Sequence, residues 1–119
     1  MKKNSDIVNA VTVIGLGSMG SKIAQLYLAN DYKVTVWNRT VSKTAKLKES
    51  GALVANDIIS AVNASPLIIV CVHNYKASDD IFGDRDLASA LNGKIVVQLT
   101  TGSPEDAQKS EKWFNERNA

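Results

Sequence analysis

An α/β fold, a doubly wound parallel sheet with helices on both faces, is predicted by three features of the sequence. Five short β-branched or apolar runs alternate with helical segments. The fourth run, residues 67–72, is apolar throughout, as burial on both faces of a sheet requires. The connections are short, and no repeat, linker or charge block divides the 119 residues, so a single domain spanning 1–119 is expected.

Each element has its own local reason. Residues 11–14, Val-Thr-Val-Ile, form the first strand and end at Gly15. Residues 18–30 are helical, with Met19, Ile23 and Leu26 or Tyr27 recurring near the helical period. Residues 33–37, Lys-Val-Thr-Val-Trp, form the second strand. Residues 42–50 make a polar helix stopped by Gly51. A short third strand follows at 52–54, then a short helix at 57–63 and the fourth strand at 67–72. Residues 76–91 hold one or two helical pieces around Phe82 and Gly83, and residues 94–99 form the fifth strand. Ser103 is placed to cap a final helix, with Pro104 in its first turn and Asp106 at the capping-box position. A complete two-half sheet of this kind needs roughly 150 residues, at roughly 30 per strand-helix step. The chain ends after a helix, at Asn118 and Ala119, so the sheet is expected to be truncated before its last strand.

Composition narrows the function classes. The chain is 45% apolar and 22% charged, which suits a packed core and argues against disorder. The longest apolar run, residues 66–72, is far shorter than the ~20 residues of a membrane helix. Lys2 and Lys3 are followed by Asn4, Ser5 and Asp6 instead of an apolar stretch, so no signal peptide is read. The single cysteine, Cys71, excludes an intrachain disulfide framework and multi-cysteine zinc sites. No metal site is expected, and a reducing, cytoplasmic setting is the simplest one. A net charge of +2 with no basic stripe gives no reason to expect nucleic acid or a membrane surface as partner.

The chemistry begins at Gly15-Leu16-Gly17-Ser18-Met19-Gly20, a G-x-G-x-x-G sequence. The pattern alone is weak, but here a β-branched strand precedes it and an apolar-periodic helix follows. Gly15 makes the tight turn, Gly17 lets backbone approach a pyrophosphate, and Gly20 lets helix and strand pack closely. The free N–H groups and the dipole at the helix start favour an anion. These features make the sheet a Rossmann-type, dinucleotide-binding one. A tight turn without a ligand is the plainer alternative.

The segment after the second strand selects the dinucleotide. NAD sites carry an acidic residue there for the ribose 2′-hydroxyl. This chain has Asn38-Arg39-Thr40 instead. Arg39 can pair with a 2′-phosphate through its planar donor fork and stack on adenine. Asn38 and Thr40 add neutral donors, and Lys43, one helical turn on, adds a second positive charge. The expected cofactor is NADP(H).

Residues 13–20 together with Val36-Trp37-Asn38-Arg39-Thr40 resemble the N-terminal domain of the β-hydroxyacid dehydrogenase superfamily. That superfamily includes 3-hydroxyisobutyrate, tartronate semialdehyde and 6-phosphogluconate dehydrogenases. Residues 70–75 (Val-Cys-Val-His-Asn-Tyr) and 98–107 look most like its NADPH-dependent imine reductase branch. The resemblance implies that Gly15, Leu16, Gly17, Ser18, Met19 and Gly20 hold the pyrophosphate. It implies that Asn38, Arg39, Thr40 and Lys43 hold the 2′-phosphate. Val72 and His73 would pass the ribose, and Thr100 and Thr101 would lie near the nicotinamide and substrate. Gln98 departs from the aspartate common in hydroxyacid members and the asparagine common in imine reductases.

In that superfamily an all-helical second domain follows and supplies the proton donor, a lysine in hydroxyacid members or a tyrosine or aspartate in imine reductases. No residue of this chain matches it, so the catalytic group is unknown. The implied partners are a small-molecule substrate and a second copy in a homo-oligomer. His73, the sole histidine, is chemically able to act as acid or base, though a strand-end histidine beside the groove is the simpler reading. Cys71, inside an apolar strand, reads as an inert thiol. Two function classes remain: the cofactor-binding domain of a hydride-transferring oxidoreductase, and a non-catalytic nucleotide-binding regulatory or redox-sensing module. Thr100 and Thr101 favour the first.

Overall fold

The computed structural model describes residues 9–72, 74–82, 87–99 and 104–117. Strand β1 (Ala10–Ile14) leads into helix α1 (Ser18–Ala29), and β2 (Lys33–Trp37) follows. A 3₁₀ turn (Val41–Thr44) runs into α2 (Ala45–Glu49) and β3 (Leu53–Val54). Helix α3 (Ile58–Asn63) precedes β4 (Leu67–Val70); α4 (Tyr75–Phe82) and α5 (Leu87–Leu91) precede β5 (Ile95–Gln98); α6 (Pro104–Asn115) comes last. The five strands form one parallel sheet in the order β3-β2-β1-β4-β5. That is the doubly wound order, and the direction of winding reverses between β1 and β4.

Strand alternation divides the core in two. Val11, Val13, Val34, Val36 and Ile69 pack on one face with Ala24 of α1 and Leu47 of α2. Ile14, Ile68 and Val70 pack on the other with Val62, Phe82, Leu91 and Phe114. Thr12 also points to that second face, where its Oγ1 donates to the Ala61 carbonyl at 2.7 Å and pins α3 to the central strand. Both edges of the sheet are short. At the β5 edge Ile95 and Val97, on the first face, are 64% and 38% exposed; among the described residues no helix packs over them.

Most expected elements stand within a residue or two, and the differences have physical causes. The helix expected at 42–50 begins as a 3₁₀ turn. The Lys43 N–H bonds to the Thr40 carbonyl at 3.2 Å, and Thr44 Oγ1 bonds back to Val41 at 2.6 Å, both three residues apart. Its end is as expected: Gly51 has φ +110°, its N–H reaches the Lys48 carbonyl, and the Ala52 N–H reaches Leu47 in a Schellman motif. Helix α3 starts one residue after Asp57, whose side chain accepts the Ser60 N–H at 2.8 Å. That bond holds the Asp57 carboxyl below its ordinary pKa. Residues 76–91 are two helical pieces, and Pro104 opens α6. The Ser103 cap and Gly83 lie outside the described residues.

Candidate functional site

The site is built where the winding reverses, beyond the carboxyl ends of β1 and β4. Gly15 leaves β1 with φ +91°, and its N–H donates to the Trp37 carbonyl at 2.9 Å. A Cβ on Gly15 would strike the Cys71 carbonyl oxygen, and one on Gly20 would strike the Gly15 carbonyl oxygen. The protein's own backbone therefore accounts for both glycines. Gly17 differs. Its φ of −71° and ψ of −165° suit any residue, and a Cβ there would meet no protein atom within 4 Å. Neither conformation nor packing asks for glycine, so the vacancy it keeps suits a bound group. Gly17 is also the N-cap of α1, and no side chain caps that terminus. The uncapped N–H groups and the helix dipole suit an anion there.

A cavity of about 410 Å³ lies over this terminus. Gly15 through Gly20 form its floor, Asn38 and Lys43 one side, and Cys71, Val72 and Leu99 the other. An adjoining hollow, also about 410 Å³, continues between α1 and the 3₁₀ turn, where Ser21, Gln25, Ser42, Lys43 and Lys46 line it. Asn38 is half-buried; its Oδ1 accepts the Leu16 N–H at 2.8 Å and its Nδ2 donates to the Thr40 carbonyl at 3.0 Å. Arg39, Thr40 and Lys43 are exposed. The fold thus gathers the glycine loop, Asn38, Lys43 and Val72 around one cavity, whereas Arg39 and Thr40, next in the chain after Asn38, line neither hollow. His73, Thr100 and Thr101 lie outside the described residues.

Two lining residues had no role in the sequence reading of the site. Cys71 and Leu99 become walls because each follows directly on a strand at the reversal point, which only the strand order reveals. Burial pushes the Cys71 thiol pKa up, so it stays protonated, in keeping with an inert role. Lys46, in the adjoining hollow, was also missed; its signal was its place three residues on from Lys43, one helical turn away. Gln98 faces away from the cavity. Its Nε2 donates to Ser78 Oγ at 2.9 Å and Ser110 Oγ at 3.3 Å, tying α4 and α6 to β5.

The family model for the NAD binding domain of 6-phosphogluconate dehydrogenase matches residues 10–119. The chain belongs to this family. Among curated relatives, the NADPH-dependent reductive aminase of Aspergillus oryzae is 42% identical over 99 residues, 83% of this chain and 33% of the relative. The cytokine-like nuclear factor N-PAC of Drosophila melanogaster is 36% identical over 95 residues, 77% of this chain and 16% of that protein. Among solved structures, the imine reductase of Myxococcus stipitatus in complex with NADP⁺ superposes with a TM-score of 0.89 at 39% identity, covering 92% of this chain and 38% of that one. The chain therefore spans about a third of the reductive aminase and imine reductase. It is an NAD(P)-binding domain of the Rossmann type, akin to those of imine reductases, reductive aminases and hydroxyacid dehydrogenases. Among the described residues no helix is long and apolar enough to cross a membrane.

Proposed function

We propose that the chain binds NADPH as the cofactor domain of an oxidoreductase that reduces a C=N or C=O carbon, with an imine the better fit. The observation that carries the cofactor choice is the segment after β2. It offers Arg39 and Lys43, both exposed, and no acidic residue. The uncapped start of α1 and the room above Gly17 suit the pyrophosphate, and Arg39, Thr40 and Lys43 suit the 2′-phosphate. Val72 and His73 would flank the ribose, with Thr100 and Thr101 nearer the reacting ring. The dihydronicotinamide supplies the hydride; the chain's task is to hold and orient it. The likeness to a reductive aminase and an imine reductase supports the imine over the hydroxyacid class.

Titrating the chain with both cofactors tests this. NADPH should bind about 10- to 100-fold more tightly than NADH, the worth of a charge-assisted pair. Arg39→Ala should bring the two affinities together. Equal affinities in the unaltered chain, or tighter NADH, would overturn the cofactor assignment.

The 119 residues alone are expected to bind cofactor without turnover. Hydride transfer needs substrate and a proton donor held in attack geometry, and no residue here matches the family's donor. The same reading places a second copy against the β5 edge, where Ile95 and Val97 are exposed on an unprotected strand. Light scattering should report a mass above 12.8 kDa, and NADPH oxidation with cyclic imines should stay at background. A monomer would reject the association, and turnover would reject the division of labour. A second reading is a nucleotide-binding regulatory or redox-sensing module without chemistry, and the likeness to a protein named as a nuclear factor keeps it in view. Imine reduction by a longer protein carrying this domain would rule it out.

A further inference from the structure

We propose that Asn38 is a positioning residue for the glycine loop, and that it acts on the pyrophosphate rather than on the 2′-phosphate. This rests on the NADPH reading above. One carboxamide joins two segments that lie 22 residues apart in the chain. Its Oδ1 accepts the Leu16 N–H at 2.8 Å, inside the glycine loop. Its Nδ2 donates to the Thr40 carbonyl at 3.0 Å, inside the segment that carries Arg39. Leu16 is 3% exposed, its side chain held in the core beside Val11 and Val13. With its side chain packed and its N–H bonded, Leu16 fixes the backbone that enters Gly17 and the first turn of α1. Those are the groups that face the pyrophosphate.

The residue type fits the task. Alanine can make neither bond. Aspartate can accept from Leu16, but it sets a second acceptor against the Thr40 carbonyl and a negative charge beside the 2′-phosphate position. Asparagine alone of the three serves both neighbours without charge. The consequence is a signature in cofactor selectivity. NADPH and NADH share the pyrophosphate, so a residue that shapes its loop affects both. A residue that binds the 2′-phosphate affects NADPH only.

The experiment compares Asn38→Ala, Asn38→Asp and Arg39→Ala in the 119-residue chain. Each is titrated with NADPH and with NADH, and amide hydrogen exchange at Leu16 is followed by NMR without nucleotide. Asn38→Ala loses both bonds; the lost tie to Leu16 should weaken both cofactors by about five- to tenfold, the worth of a neutral hydrogen bond, and leave their ratio unchanged. The Leu16 amide should lose protection in the same variant. Asn38→Asp should keep that amide protected and NADH affinity intact while NADPH affinity falls, which is rescue through the retained acceptor. Arg39→Ala should lower NADPH alone and leave Leu16 protected. Selective loss of NADPH in Asn38→Ala, or an unchanged Leu16 amide there, overturns the proposal and makes Asn38 a phosphate ligand. If Asn38→Ala does not fold, loss of Leu16 protection in Asn38→Asp overturns it equally. Failure of the unaltered chain to prefer NADPH strikes the cofactor reading instead, and the Leu16 exchange still decides the role of Asn38.

Discussion

Gly20→Ala should lower the melting temperature by about 10–15 °C, although it adds a single methyl group to a helix. On helix propensity alone the change should help, since alanine is favoured over glycine by about 1 kcal/mol within a helix. Packing reverses the sign. A Cβ at residue 20 falls on the Gly15 carbonyl oxygen, with the Gly15 carbonyl carbon at 3.0 Å and Cys71 Cβ at 3.3 Å. None of these atoms is the free end of a flexible side chain. Gly15 is held by its bond to the Trp37 carbonyl, and its own Cα is closed in by the Cys71 carbonyl. The turn cannot retreat, so α1 must rise off the sheet. That would loosen Ala24, which is fully buried one turn later on the same helix. Overpacking of a rigid site costs about 3 kcal/mol, a large share of the roughly 10 kcal/mol that holds a domain of this size. Thermal unfolding followed by circular dichroism measures it. A variant that melts with or above the unaltered chain would show that α1 does not seat against the turn as closely as described.

The contrast among the glycines shows which parts of the molecule are legible in the sequence. Strands β1, β2 and β4 are legible because two-sided burial writes itself as an unbroken β-branched or apolar run. Their ends are less so. The fourth run continues to Val72, yet the strand stops at Val70, where its register with β1 ends at Ile14 and with β5 at Gln98. A strand's length depends on its neighbours, which no local pattern carries. The 3₁₀ turn at Val41–Thr44 escaped for a different reason. Its polar residues run without a break into the helix that Gly51 stops, and the back-bond from Thr44 that tightens it is a side-chain choice.

The site divides in the same way. The strand–glycine–helix motif was readable because its jobs are local to six residues. The role of Asn38 was not, because its tie to Leu16 exists only once β1 and β2 pair with Ile14 opposite Trp37. Gln98 illustrates the same limit. In the sequence it stands only as a departure from the family's aspartate or asparagine; in the structure its side chain lies on the far face between Ser78 and Ser110, where two helices converge that the sequence alone does not bring together.

Gly17→Val should abolish binding of NADPH and NADH and leave the fold standing. The two halves of that statement come from separate observations. The protein leaves room at this position: the backbone at 17 is ordinary extended conformation, and a Cβ there meets nothing within 4 Å. The N-cap position prefers glycine to valine, so a loss of up to about 1 kcal/mol is expected, well short of unfolding. Valine does not fit a ligand. The room it would occupy is the approach to the uncapped N–H groups of α1, which attract an anion into the cavity. Its branched methyls would also hold the phosphates beyond hydrogen-bond reach of those groups, where charge-assisted bonds fail. Calorimetric titration with both cofactors, alongside a thermal melt, separates the two effects. Gly17→Val and Gly20→Ala should then behave as opposites, the first stable and unable to bind, the second losing stability first. Normal NADPH binding by a folded Gly17→Val chain would mean that the pyrophosphate does not cross residue 17, and the site would have to be placed elsewhere on the sheet.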